Sequence, residues 1–289
     1  MNDWITITSG VLTAAINPFG AELSSLADAD GRELMTDADP AFWTGRAPLL
    51  FPVVGKVAGD VIRVGGREYP MEKHGFARRL PFTVETAEAT RAVFALEDSA
   101  ATRAQYPYAF RLEVAFSLAD ASLRVDVTIA NTGDRPMPAS FGFHPAFAWP
   151  LPYGQPRDAH RITFADDAPG PVKQLAEGLI AGDRPSPLHG RTLVMNDALF
   201  TRDALIWDPV PTQSLTYGAE PGPQLRIDFP DTPQLGIWSK PGARFVCIEP
   251  WHGLADPQGH AGEFRDKPGV LTLAAGASKH VGMTVTLLP

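Results

Sequence analysis

The chain has 289 residues, 44% of them hydrophobic and 20% charged, with 28 prolines and 26 glycines scattered without a period. This excludes a disordered or collagen-like chain and leaves ample apolar material for a core. A net charge of −8 with no basic block argues against a phosphate-backbone binder, and the single cysteine, Cys247, excludes an internal disulfide or a Cys-rich zinc site.

The first residues, MNDWITITSG, carry neither the basic nor the apolar part of a secretory signal. The most apolar run, 47–54, is broken by Pro48 and Pro52 and is too short to span a bilayer. The expectation is a soluble, cytoplasmic protein, monomer or homodimer, with no nucleic-acid or membrane partner.

In chain order, residues 5–8 and 12–16 read as strands. Residues 61–64 and 67–69 flank Gly65-Gly66, a pair that supplies the positive φ angles of a two-residue hairpin turn. A strand is expected at 92–96. Leu112, Val114, Phe116 and Leu118 then alternate with polar residues, and after Ala119-Asp120-Ala121 so do Leu123, Val125, Val127 and Ile129. That period of two predicts a long antiparallel hairpin with one wet face. The stretch 150–190, rich in Pro, Gly and Asp, reads as a long excursion, with a short turn of helix at 172–180. Strands follow at 225–229, 244–249 and 281–288. No repeat or shift in composition divides the chain. Many short strands with Gly/Pro turns predict an all-β sandwich or barrel of antiparallel strands with little helix, in one domain spanning 1–289.

Three segments place ionisable residues among aromatic ones: 73–79 (KHGFARR), 141–147 (FGFHPAF) and 247–253 (CIEPWHG). Each has a structural reading. His74 suits a turn with its ring on a nearby carbonyl, and His144 suits an aromatic core. Glu249 suits an edge strand ended by Pro250, which cannot donate to a ladder. Each also has a chemical reading. Glu249 shares a strand face with Phe245 and Cys247, so its carboxylate points to the apolar side and must be paired or face a cavity. Two histidines and a glutamate suit acid/base work near neutral pH without a cofactor. The aromatics Phe76, Phe143, Phe147, Trp149 and Trp251 could stack on the C–H faces of a sugar, with core packing the preferred role for Phe143 and Phe147.

These segments carry a resemblance. Phe51-Pro52-Val53-Val54-Gly55-Lys56, His74-Gly75-Phe76-Ala77-Arg78, Phe143-His144-Pro145-Ala146-Phe147 and Ile248-Glu249-Pro250-Trp251 resemble, in order, the motifs of the aldose 1-epimerase (galactose mutarotase) family, and most closely its LacX-type branch. The opening Asn17-Pro18-Phe19-Gly20-Ala21-Glu22-Leu23 resembles that family's first strands, so the likeness covers nearly the whole chain. It implies a twisted β-supersandwich with a sugar in an open cleft, and a cofactor-free isomerase that exchanges the α and β anomers of a hexose. By the same resemblance Glu249 is the base, His144 the acid at the ring oxygen and His74 a second histidine at the reacting centre. Arg78 and Lys56 are then the expected cationic sugar contacts, beside the aromatic faces of Trp251 and Phe76. Lys56 stands where relatives commonly carry arginine, which replaces a planar fork by a point charge.

The competing readings are weaker. There is no Gly-x-Gly-x-x-Gly fingerprint, P-loop, His-Glu-x-x-His helix or Gly-x-Ser-x-Gly elbow. His252, Asp256 and His260 lie at helical spacing, yet Gly253, Pro257 and Gly259 make that stretch a loop, so no metal site is expected. A sugar-binding or sugar-sensing protein of the same fold would not need the trio. A hexose 6-phosphate would suit Lys56, Arg78 and Arg79, although Arg79 also suits a surface pair with a carboxylate. Cys247 is expected to pack beneath the base.

Overall fold

Alternation of apolar and polar residues builds nearly everything that the computed structural model describes, residues 3–166 and 170–289. Strands dominate, and helix is confined to one α-turn at Ala100–Arg103 and five short 3-10 turns among the described residues. The long hairpin forms from Phe110–Ala119 and Ser122–Asn131, with Leu112 opposite Ile129 and Val114 opposite Val127. Its turn puts Asp120 at φ 48°. Gly65 and Gly66, at φ 60° and 75°, close the tighter hairpin of Val61–Val64 and Arg67–Pro70.

Two large antiparallel sheets carry the fold. The nine-stranded sheet runs Thr192–Val194, Arg161–Phe164, Ser214–Gly218, Gln224–Asp228, Ser278–Leu288, Ser122–Asn131, Phe110–Ala119, Arg91–Glu97 and Thr83–Ala87. The seven-stranded sheet runs Phe141–Gly142, Phe245–His252, Gln234–Trp238, Leu205–Trp207, Val172–Ala176 and Leu179–Arg184, with Ala146–Ala148 also paired to Phe245–His252. One core holds inward residues of both, Leu112, Val127 and Val285 from the first and Leu235, Val246 and Ile248 from the second. A sheet whose alternate residues meet another sheet is a sandwich. No helix among the described residues is long and apolar enough to cross a membrane.

Two expectations need correction. The helical turn expected at 172–180 is a hairpin, Val172–Ala176 with Leu179–Arg184. Its turn residues Glu177 and Gly178 both adopt positive φ, 54° and 81°, which a helix does not allow. The excursion at 150–190 is likewise not a detour. It supplies Arg161–Phe164 to one large sheet and that hairpin to the other, while residues 167–169 lie outside the described residues.

Candidate active site

The site grows from the strand Phe245–His252. Val246 and Ile248 point into the main core, while Phe245, Cys247, Glu249 and Trp251 take the opposite face. The strand does not end at Pro250 as expected. Ile248 N–H donates to Pro145 O (3.1 Å) and Phe143 N–H donates to Pro250 O (3.0 Å), so the even-numbered residues aim their backbone groups at a break between Phe141–Gly142 and Ala146–Ala148. The donor that Pro250 lacks is lost where no ladder runs, and that same break carries His144. Glycines flank the face on both sides. A side chain at Gly142 or at Gly236 would lie 2.5 Å from the Trp251 ring, so the indole fills space both neighbours leave free.

His144 and Glu249 meet on this face, Nε2 to Oε2 at 3.1 Å, both buried. The Trp43 ring lies over the imidazole at 5.0 Å, and Trp238 meets it edge-on at 6.1 Å. Burial drives Glu249 well above the usual carboxyl range, with Asp203 adding to the rise and Lys73 opposing it. Burial also pulls His144 down to about 3. A buried acid and a buried base both favour their uncharged forms. In the uncharged forms that burial favours, the Glu249 carboxyl donates across this contact and His144 Nε2 accepts.

His74 completes the group, its ring 5.6 Å from that of His144 and nearly perpendicular. It sits at φ 69°, followed by Gly75 at φ 69°, where a Cβ would lie 2.2 Å from Phe51 O. Only glycine fits that second position. The His74 ring does not bond a carbonyl. Gly55 N–H donates to its Nδ1 (3.1 Å), and His74 N–H donates to Gly55 O (2.9 Å). Nδ1 is thus the acceptor, so the neutral ring carries its proton on Nε2. Burial lowers the pKa of His74 well below the ordinary value, and neighbouring His144, Lys73 and Arg78 lower it further.

The Gly55 loop is itself anchored. Asp256 N–H donates to Lys56 O (2.8 Å), Ala58 N–H donates to Asp256 Oδ2 (2.8 Å), and buried Lys267 pairs with Asp256 at 3.0 Å. Gly55, at φ 74°, lies so close to Ala255 that a Cβ would sit 2.6 Å from its Cα. Asp256 is committed to this anchor and not to His252 and His260. A different trio could hold a metal: His144, Cys247 and Glu249 offer one ligand atom each, all within 4.8 Å of one another.

These groups open onto a cavity of about 440 Å³, within the usual range for small-molecule sites. Of the expected contacts, Arg78 and Trp251 line it beside His74, His144 and Glu249. Lys56 is not in its wall, because the side chain runs along Gly178, and a Cβ there would lie 3.3 Å from Lys56 Cδ. Phe76 is a core residue packed on Phe51, Tyr106 and Phe110. Trp149 is also buried, its indole N–H spent on Arg157 O (2.9 Å), and Phe143 and Phe147 pack in the core as preferred. Arg79 pairs with Glu72 at the surface (2.9 Å). Sequence reasoning missed Trp43, Lys73, Asp203, Trp238 and Lys240, which line the wall. Trp238 was readable, since Leu235 and Ile237 alternate with Gly236 and Trp238 and leave a tryptophan on the site face. For Trp43 and Asp203 no local pattern served.

The aldose 1-epimerase family model matches residues 3–271. The chain belongs to the aldose 1-epimerase family. It is 30% identical to the plasmid-encoded protein LacX of Lactococcus lactis subsp. lactis over 296 aligned residues, covering 98% of this chain and 99% of that one. Among solved structures it is similar to a galactose mutarotase related enzyme from Lactobacillus acidophilus (TM-score 0.92, 28% identity, 99% of this chain and 97% of that one). A galactose mutarotase-like protein from Lactobacillus casei superposes with a TM-score of 0.91 at 31% identity, over 98% of this chain and 99% of that one. The fold is thus galactose mutarotase-like, and family membership supports a mutarotase-type sugar epimerase, an isomerase.

Proposed function

We propose that the chain interconverts the α and β anomers of a free hexose, with Glu249 as base, His144 as acid and His74 as a fixed hydrogen-bond donor. The observation that carries this is the 3.1 Å contact between Glu249 Oε2 and His144 Nε2 on the cavity face. Ring opening removes the proton from the anomeric hydroxyl and adds one to the ring oxygen as the C1–O5 bond breaks. The C1–C2 bond then rotates, and closure on the other face reverses both transfers. One donor and one acceptor are needed in each direction, which matches a pair that shares the carboxyl proton. Sugar binding must move that proton from Glu249 to His144 across 3.1 Å, against the order that burial sets in the free pair, before the carboxylate can take the proton of the anomeric hydroxyl. His74 offers Nε2–H to the oxygen on which charge builds. Trp251 supplies an apolar face and Arg78 a cation for hydroxyl groups.

General acid/base catalysis is worth roughly 10²–10⁴-fold per positioned group, so two such groups suffice for a reaction that already proceeds in water, without a cofactor. Polarimetry and NMR saturation transfer across a panel of hexoses test the reading. Wild type is expected to speed anomer exchange, and Glu249→Gln to lose roughly 10²–10⁴-fold. Exchange at the buffer rate by wild type for every sugar, with binding retained, would establish a non-catalytic sugar-binding protein instead.

One observation favours a phosphorylated substrate as a second reading. Lys73 and Arg78 line the cavity, and neither pairs with a carboxylate among the described residues. A hexose 6-phosphate preferred over the free hexose, with a rate that falls steeply with salt only for the phosphate, would decide for it.

A further inference from the structure

Cys247 has no task in the acid/base reading, yet it stands two residues before Glu249 on the same strand face, fully buried. We propose that Cys247, His144 and Glu249 form a binding site for a thiophilic divalent cation of the Zn²⁺ class, whose occupation turns the acid/base pair off. That consequence, though not the site itself, rests on the function proposed above.

The donor set is one sulfur, one ring nitrogen and one carboxylate oxygen. This mixture suits zinc and its softer neighbours, and not Mg²⁺ or Ca²⁺, which take oxygen. The three ligand atoms already lie within 4.8 Å of one another. Zinc bonds of ~2.0–2.3 Å place tetrahedral ligands roughly 3.3–3.7 Å apart, so a contraction of about 1 Å is needed. Rotation of the three side chains would have to supply it, because the backbone is set by pairing. Ala146 lies opposite Cys247, which fixes the His144 break against the strand, and Trp238 lies opposite Cys247 on the other side.

Trp43, Trp238 and Phe245 wall the cysteine, while His144 and Glu249 line the cavity. A cation there would hold three protein ligands with a fourth position open to the cavity, the arrangement of an accessible zinc centre. The charge balances. One M²⁺ enters, and the thiol proton and the proton of the Glu249–His144 pair leave. Net local charge is unchanged, so the nearby cations Lys73 and Arg78 meet no added charge. The bound cation occupies both the lone pair of His144 and the carboxylate of Glu249, which leaves neither for a sugar.

Co²⁺ titration of the full-length protein, prepared metal-free, reads the site without turnover, through the near-ultraviolet charge-transfer band of a cobalt–thiolate bond. Wild type is expected to bind one equivalent with that band, and Zn²⁺ to displace it. Zn²⁺ should also stop anomer exchange, with full recovery on adding a chelator. Cys247→Ser is expected to lose the band and to need about tenfold or more Zn²⁺ for the same fractional inhibition, measured against its own metal-free rate. Glu249→Gln keeps the thiol and should weaken Co²⁺ binding by a similar factor, which protects the test if the cysteine variant folds poorly. Absence of a thiolate band in folded wild type, or equal Zn²⁺ inhibition of wild type and Cys247→Ser, would overturn the proposal. Absence of anomer exchange in metal-free wild type would instead strike the acid/base reading and leave the cobalt result to decide the site.

Discussion

Burying His144 as a neutral base makes the protein sensitive to acid in a way that can be isolated. The imidazole falls from 6.5 to about 3 on folding, with burial the main cause. A depressed pKa contributes stability that is fully present above the unfolded value and is lost as pH falls toward the folded one, so the window runs from about pH 6.5 down to about pH 3. Each unit is worth about 1.4 kcal/mol. The His144 share lost between pH 8 and pH 5 is therefore roughly 2 kcal/mol, and by pH 4 roughly 3 kcal/mol. His74, His160 and His252 are depressed as well, chiefly by burial, so the whole protein should lose more than this. His144→Gln keeps a polar group beside Glu249 but does not titrate. Urea unfolding followed by tryptophan fluorescence at pH 8, 6, 5 and 4 should show wild type losing about 2 kcal/mol more than the variant by pH 5. Parallel losses in the two proteins would refute the claim that this histidine is held neutral.

Two further outcomes concern the loops behind the site. Lys267→Met strands the Asp256 carboxylate in the interior and should cost about 3–5 kcal/mol in calorimetric unfolding, with Asp256→Asn in the same chain recovering much of it because Ala58 N–H keeps an acceptor. Equal melting of the single and double variants would show that the pair carries no such weight. Gly75→Ala drives a Cβ against Phe51 O at a positive φ, for roughly 2–3 kcal/mol of strain. Because His74 shares that turn, anomer exchange should also fall on the order of 10²-fold in the folded variant, measured by saturation transfer.

Local periodicity made the large hairpin legible almost residue for residue, since 112–118 and 123–129 each alternate on either side of the 119–121 turn. It failed at 172–180 because two positive-φ residues, one of them glutamate, signal a hairpin only once the partner strand is known. The face of Glu249 was legible for the same reason as the hairpin. The meeting of His74, His144 and Glu249 was not, because period two says which way a side chain points and not which distant segment it faces. The resemblance supplied that convergence, and the geometry accords with it. Phe76 and Lys56 fall outside the cavity wall, as a motif neighbour of a site residue need not share its surroundings. Pro250 misled because the cost of a missing donor depends on whether a neighbouring strand wants it.

The Asp256–Lys267 anchor ties the end of the chain's last third to a loop near its beginning, and the Gly55–His74 bonds hang from that closure. Contacts so far apart in sequence form late, after the entropy of closing the intervening chain has been met. Each large sheet can acquire its hairpins earlier, and the His74 ring is expected to gain its fixed orientation only once residues 253–267 have docked. Collapse and secondary structure should accordingly run ahead of the cavity during refolding. Binding in the cavity should therefore appear after the hairpins during refolding, and its recovery offers a probe of late folding.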